Sequence, residues 1–165
     1  MPDPASAAAP GRTVIHTDGS CEGALGRGGW AAVIRRTGED GSKGEPVILT
    51  GTEPRTTNNR MEMQAAIAGL RAVPDGPVTI VSDSQYLVRG ITEWAKPWKS
   101  HGWKNPAGRK VRNRDLWIEL DALVGDRDIA WTWVKGHGGD AGNEEADGLA
   151  RLAAKAGPKL VKPAT

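Results

Sequence analysis

The chain has 165 residues, 38% of them hydrophobic, which suffices for one domain with a buried core. Its single cysteine, Cys21, excludes an internal disulfide and a cysteine-based zinc site, and suits a reducing compartment. No apolar run approaches the ~20 residues that cross a bilayer, and a net charge of only +2 names no partner by itself.

Met1 to Gly11 is rich in Ala and Pro, and its apolar run, Ala7-Ala8-Ala9, has no basic residue before it. The segment reads as a flexible lead, not a secretory signal, so a cytoplasmic location is expected. A strand is predicted over 13–20. The Gly-rich stretch 23–29 then turns the chain into a second strand over 30–36. Charged and Gly-rich residues 37–44 form a hairpin tip, followed by a third strand over about 46–53. Met63, Ala66, Ile67 and Leu70 recur at helical spacing and predict a helix over about 57–72, stopped by Pro74-Asp75-Gly76-Pro77. The run Val78-Thr79-Ile80-Val81 is short, β-branched and apolar on both faces, the pattern of a buried central strand.

A further helix starts at the capping residue Ser84, and Pro97 is expected to break or kink that stretch of chain. Leu116, Trp117, Leu120 and Val124 make another helical stripe, and 129–134 reads as a fifth strand. The last helix, about 140–155, is expected to pack through Ala146, Leu149, Ala150 and Ala153. Beyond Gly157 the Lys- and Pro-bearing tail is expected to be loose.

Three consecutive strands, then helices alternating with two more, predict an α/β fold with a five-stranded mixed sheet. In such sheets ligands gather at the carboxyl ends of the parallel strands. Asp18 closes the first strand and Asp83 the fourth, so the two carboxylates meet if those strands are adjacent and parallel. Glu62 lies in the first turn or two of its helix, and Asp147 lies one turn after Asn143. Taken singly, each acid reads as a cap or a surface charge. Gathered in one cleft they make a cage of negative charge that favours a pair of hard, oxygen-seeking metal ions.

Between Ile91 and Arg114 stand Lys96, Lys99, Lys104, Arg109, Lys110, Arg112 and Arg114, opposed by Glu93 alone. Trp94, Trp98 and Trp103 are interleaved with them, more apolar surface than a solvated face carries. Bases alternating with aromatic plates suit a phosphate backbone and its sugars.

These segments resemble type 1 ribonuclease H in its bacterial single-domain form. The resemblance rests on Thr17-Asp18-Gly19-Ser20-Cys21, Arg55 through Glu62, Ser82-Asp83-Ser84-Gln85-Tyr86, Trp133-Val134-Lys135-Gly136-His137, and Asn143 to Asp147 with Ala150 beyond. The stretch from Gly90 to Trp117 is similar to that form's basic protrusion. The resemblance implies the ribonuclease H-like fold, with a catalytic domain over 12–156 between the lead, 1–11, and the tail, 157–165. The protrusion falls at about 94–114. It also implies an endonuclease that hydrolyses the RNA strand of RNA–DNA hybrids. On this reading Asp18, Glu62, Asp83 and Asp147 hold two magnesium ions, with manganese able to substitute, and Asp18 bridges both.

His137 by itself reads as an exposed loop histidine, whereas the resemblance makes it an auxiliary catalytic group that moves protons or helps the product leave. Zinc is not expected, because His16, His101 and His137 lack ligand spacing. The amides of Asn58, Asn59 and Gln85 suit sugar hydroxyls and minor-groove edges. Thr57, with Arg60 nearby, resembles a pocket for a phosphate of the DNA strand, although Thr57-Asn58-Asn59 is equally a helix cap. Trp94, Lys99, Lys104, Arg112 and Asn113 would extend the grip along that strand.

Two departures stand out. Gly23-Ala24-Leu25-Gly26 replaces the family's usual Gly-Asn-Pro-Gly, removing an expected amide contact to RNA, and the stretch 37–51 looks longer. A strand-transfer enzyme of the transposase or integrase kind, a hybrid-binding module without cutting, and a domain released from a reverse transcriptase are the alternatives. A monomer with no membrane association and no obligate protein partner is expected.

Overall fold

The axis of the sheet is β1 (Thr13–Cys21), which pairs antiparallel with β2 (Gly28–Arg36) from end to end. On its other side β1 runs parallel to β4 (Val78–Ser82), but only from Thr13 to His16. β3 (Val47–Glu53) extends the sheet antiparallel to β2, and β5 (Ile129–Trp133) extends it parallel to β4. The resulting order is β3-β2-β1-β4-β5, a five-stranded mixed sheet as the element pattern predicts. This computed structural model describes residues 11–156 apart from Ala24, Glu39 and Lys43. The expected flexible lead (all but Gly11) and the loose tail lie outside the described residues, as does Ala24 of the altered glycine stretch.

All five residues of β4 are buried, which accounts for a run that is apolar on both faces. One face of the sheet is covered by α1 (Asn58–Ala72) with α4 (Arg114–Val124) behind it, the other by α5 (Ala141–Ala156). Helix α1 begins where the Thr57 hydroxyl accepts the Arg60 amide, a standard N-cap. It buries Met63, Ala66, Ile67 and Leu70, the residues whose spacing announced it, against Ile15, Ile34 and Ile80. Full burial of one such aliphatic side chain stabilises the fold by roughly 1.5–3 kcal/mol. Helix α5 departs in detail from expectation. Its buried stripe is Asn143, Ala146, Ala150 and Ala154, while Leu149 and Ala153 are only half-buried. Small residues four apart let this helix lie close to the sheet.

The segment after β4 also differs. Ser84 caps α2 (Gln85–Arg89) by accepting the Leu87 amide, as expected. The chain then passes through a π-helical turn, Gly90–Trp94, into α3 (Ala95–Ser100), which contains Pro97 without ending there. Proline lacks the N–H that would bond four residues back. The irregularity therefore falls one turn upstream, in the widened turn, and the helix resumes beyond it. Tyr86, Trp94, Trp98 and Trp117 stack with centroids 5.3–6.1 Å apart. Much of the apolar surface that the interleaved tryptophans bring is thus spent on anchoring the basic segment to the core. Among the described residues no helix is long and apolar enough to cross a membrane.

Candidate active site

The pairing of β1 with β4 stops at His16 and Val81, and two residues further on Asp18 and Asp83 stand side by side where the sheet order reverses. Glu62 reaches the same place because α1 lies directly on β1. A Cβ on Gly19 would come within 2.5 Å of the Glu62 amide nitrogen and 2.6 Å of the Met61 carbonyl carbon. Only glycine allows the helix backbone so near. One oxygen from each of Asp18, Glu62 and Asp83 lies within 4.8 Å of the others.

Asp147 stands at the edge of this trio. Its carboxyl helps to raise that of Asp18 and is paired with Arg151 Nε at 3.2 Å. Helix α5, which carries it, is fixed at its start by Asp140, whose Oδ1 accepts the Asn143 amide at 2.8 Å and lies 3.6 Å from His16 Nε2.

Asp18 is 2% exposed and Glu62 8%. Burial, with the charge of Asp83 beside it, pushes the Asp18 carboxyl up to about 8, despite the Gly19 amide donating to its Oδ1 at 2.9 Å. Burial first, then repulsion from Asp18 and Asp83, raises Glu62 well above the usual carboxylate range. Glu62 Oε1 is buried without any hydrogen-bond partner. Packed carboxylates with an orphaned oxygen are costly for the protein alone. An all-oxygen, anionic donor set of this kind fits a hard divalent cation.

The loop from Lys135 to Gly139 passes beside this group. Trp133 Nε1 donates to the Asp83 carbonyl at 3.0 Å, and the Val134 amide donates to the Ser82 carbonyl at 3.0 Å. A Cβ at Gly136 would sit 3.0 Å from Asp83 Oδ2, so the backbone runs along the carboxylate. His137 comes next, exposed and in the left-handed region at φ 57°, a conformation that costs free energy for a non-glycine residue.

Asn58, Asn59 and Gln85 are exposed at the starts of α1 and α2, and Asn58 lines the cleft beside Gly19 and Asp147. Arg60 is already committed within the protein. Its guanidinium binds both oxygens of Asp115, at 2.8 and 3.0 Å, and Asn113 Oδ1 at 3.2 Å. Asn113, itself left-handed at φ 59°, donates through Nδ2 to the Tyr86 hydroxyl, which also accepts the Trp117 indole N–H. Lys99 pairs with Asp121 at 3.0 Å while remaining largely exposed, and Lys104 and Arg112 are exposed. Trp94 is half-buried in the aromatic stack.

Sequence reasoning passed over Arg151, although its place four residues after Asp147 marks it as a helical neighbour. It also passed over the tethering roles of Trp133 and Tyr86, for which no local signal exists.

The family model described as RNase H matches residues 10–155. Over 143 residues, 86% of this chain and 90% of the relative, the chain is 48% identical to a protein named Ribonuclease H from Francisella tularensis subsp. novicida. A Ribonuclease H from Pseudomonas paraeruginosa is 49% identical over 140 residues, 84% of this chain and 90% of the relative. Among solved structures, LC9-RNase H1, described as a type 1 RNase H with the type 2 active-site motif, superposes with a TM-score of 0.79 at 33% identity. That match covers 89% of this chain and 74% of the other. LC11-RNase H1, solved in complex with RNA/DNA hybrid, shares the fold with a TM-score of 0.62 at 22% identity, covering 87% and 97% of the two chains.

Proposed function

The chain belongs to the RNase H family, and on that premise we propose that it hydrolyses the RNA strand of RNA–DNA hybrids, with Asp18, Glu62, Asp83 and Asp147 holding two Mg²⁺ ions that Mn²⁺ can replace. The observation that carries the reading is the convergence of Asp18, Glu62 and Asp83 within 4.8 Å, two of them buried and resisting ionisation. Bound there, the cations supply positive charge where the entering and leaving oxygens of an in-line displacement become negative.

The protein's own groups supply the geometry. Asp18, buried beside Glu62 and Asp83, would be the carboxylate shared by both cations on this reading. Trp133 holds the backbone of Asp83, and Gly136, having no side chain, lets the loop pass close to its carboxylate, which supports a site organised before substrate arrives. Water attacks phosphorus, the bond to the 3′ oxygen breaks, and a proton goes to that oxygen, leaving 5′-phosphate and 3′-hydroxyl ends. His137, one residue beyond the backbone that lines Asp83, carries a proton or eases product departure on this reading.

Asn58, Asn59 and Gln85 distinguish RNA by its 2′-hydroxyls. Thr57, Asn113, Trp94, Lys99, Lys104 and Arg112 hold the DNA strand. Arg60 contributes by fixing Asn113, given its engagement with Asp115. The family assignment decides against the strand-transfer alternative, and a carboxylate cage is a poor surface for phosphate unless cations fill it, which disfavours a purely binding module. We place the enzyme in the cytoplasm as a monomer acting without a protein partner, in keeping with its lone thiol.

The test uses end-labelled hybrid, duplex RNA, single-stranded RNA and duplex DNA, first with Mg²⁺ and then with chelator. Cleavage confined to the RNA strand of the hybrid and abolished by chelator is expected. Cutting of duplex DNA, or activity that survives chelation, would overturn the proposal.

A further inference from the structure

Helix α5 meets the sheet through a glycine at two places, one on each side of Asp147. Gly142, in its first turn, packs against the imidazole of His16 on β1, and a Cβ there would come within 2.5 Å of the ring carbon Cε1. Further along, a Cβ on Gly29 of β2 would lie 2.6 Å from the Ala150 carbonyl oxygen. Gly29 is the partner of Ser20 on β1, so helix and strand run side by side in the same sense. Two steps of strand lead from His16 to Asp18 on one face of the sheet, and five steps of helix lead from Gly142 to Asp147. Each path covers about 7 Å. Seating Gly142 on His16 therefore brings Asp147 level with Asp18.

His16 also faces the residue that starts the helix. Its Nε2 lies 3.6 Å from Asp140 Oδ1, and that same oxygen accepts the Asn143 amide at 2.8 Å. The Asp140 carbonyl accepts the Glu144 amide at 3.0 Å, so this residue ends the loop that carries His137 and opens α5. The side chains of His16 and Asp140 are 14% and 12% exposed. Filling space does not account for an imidazole here. Its Nδ1 is buried without a hydrogen-bond partner among the described residues, at a cost in free energy that a phenyl ring in the same place would avoid. A phenyl ring would instead leave the Asp140 carboxylate against an apolar surface.

We infer that His16 is a positioning residue for the carboxylate centre: through Gly142 and Asp140 it seats the start of α5 and so sets the reach of Asp147 toward Asp18. This rests on the reading of Asp147 as a metal ligand. The other three acids are held by different means. Asp18 belongs to β1 itself, Glu62 is fixed by the close approach of α1 at Gly19, and the backbone of Asp83 is tethered by Trp133. Asp147 alone depends on where α5 lies. A small hard cation tolerates little error in such a reach, because Mg²⁺ demands near-octahedral oxygen ligands at about 2.1 Å.

The test compares the parent protein with His16→Phe, His16→Gln and Asp147→Asn, and with His16→Phe made in the Asp147→Asn background. Mn²⁺ binding to the substrate-free protein is followed by calorimetric titration, and cleavage of hybrid is measured against Mg²⁺. His16→Phe should bind Mn²⁺ several-fold more weakly and need correspondingly more Mg²⁺ for half-maximal cleavage, with the KM for hybrid at saturating Mg²⁺ little changed. His16→Gln, whose amide can face Asp140, should recover most of the loss. In the Asp147→Asn background, His16→Phe should cost no further affinity, because the residue it positions is gone. Unchanged Mn²⁺ affinity in His16→Phe, the same loss with and without Asp147, or a Gln variant no better than Phe would overturn the role of His16. A parent that binds no Mn²⁺, or an Asp147→Asn variant that binds it as the parent does, would instead overturn the metal reading beneath it.

Discussion

Replacing Asp18 with asparagine should make the cation-free protein more stable, and by a larger margin at about pH 8.5 than at about pH 5. In the unfolded chain this carboxyl releases its proton near its ordinary value of 3.8, whereas in the fold burial and the neighbouring Asp83 hold the proton up to about 8. Across that window the native state binds the extra proton, so stability is greatest below 3.8, falls as pH rises, and bears the full penalty above about 8. At ~1.4 kcal/mol per pH unit, a span of about four units sets a ceiling on the order of 5 kcal/mol. Water entry and small shifts of the carboxylates lower this, leaving an expected gain of about 2–3 kcal/mol for the Asp18→Asn variant at alkaline pH. For a chain of this length that is roughly 5–10 °C. The amide keeps the side chain's volume and an oxygen to accept the Gly19 amide, so packing is preserved.

Thermal unfolding in chelator, followed by circular dichroism between about pH 5 and pH 8.5, reads the effect directly. Added Mg²⁺ should stabilise the parent more than the variant and so narrow the gap. Parallel stability curves for the two proteins throughout that range would refute the reasoning, because a carboxylate under no electrostatic load has no such window.

Three further outcomes are expected. The Asp83→Asn variant should lose hybrid cleavage by on the order of a thousandfold, the rate equivalent of about 4 kcal/mol, while still shifting hybrid in a binding assay. Normal cutting would remove Asp83 from the catalytic set. The Gly19→Ala variant should unfold about 5 °C lower or more and lose activity, since its methyl group meets backbone atoms of Met61 and Glu62 that cannot give way; calorimetry showing an unchanged transition would contradict the close approach of α1 to β1. Combining Lys99→Ala with Lys104→Ala should weaken hybrid binding and flatten its salt dependence, with single-turnover rates at saturation little changed. Equal binding at every salt concentration would leave those lysines as ordinary solvated charges.

The order of strands and helices was legible in the chain because hydrophobic spacing is local and each element declares its own period. β4 was read from the β-branched run Val78-Thr79-Ile80-Val81, α1 from Met63, Ala66, Ile67 and Leu70. The four acids stood out as positions, not as a site. Nothing in Thr17-Asp18-Gly19-Ser20 states that its carboxylate lies beside one that comes 65 residues later. That proximity exists because β1 and β4 are parallel neighbours. Arg60 illustrates the opposite limit. Its sequence context reads as a phosphate ligand, yet its partner Asp115 lies 55 residues away and only the packing of α4 against α1 reveals the engagement.

The amino-acid sequence alone therefore determined the elements, their order and the chemical type of each exposed group, all of which depend on nearest neighbours along the chain. Tertiary structure decided the distances. It set which carboxylates share a cleft and which guanidinium is already paired. Electrostatic energy depends on separation and burial, and both are properties of the assembled fold.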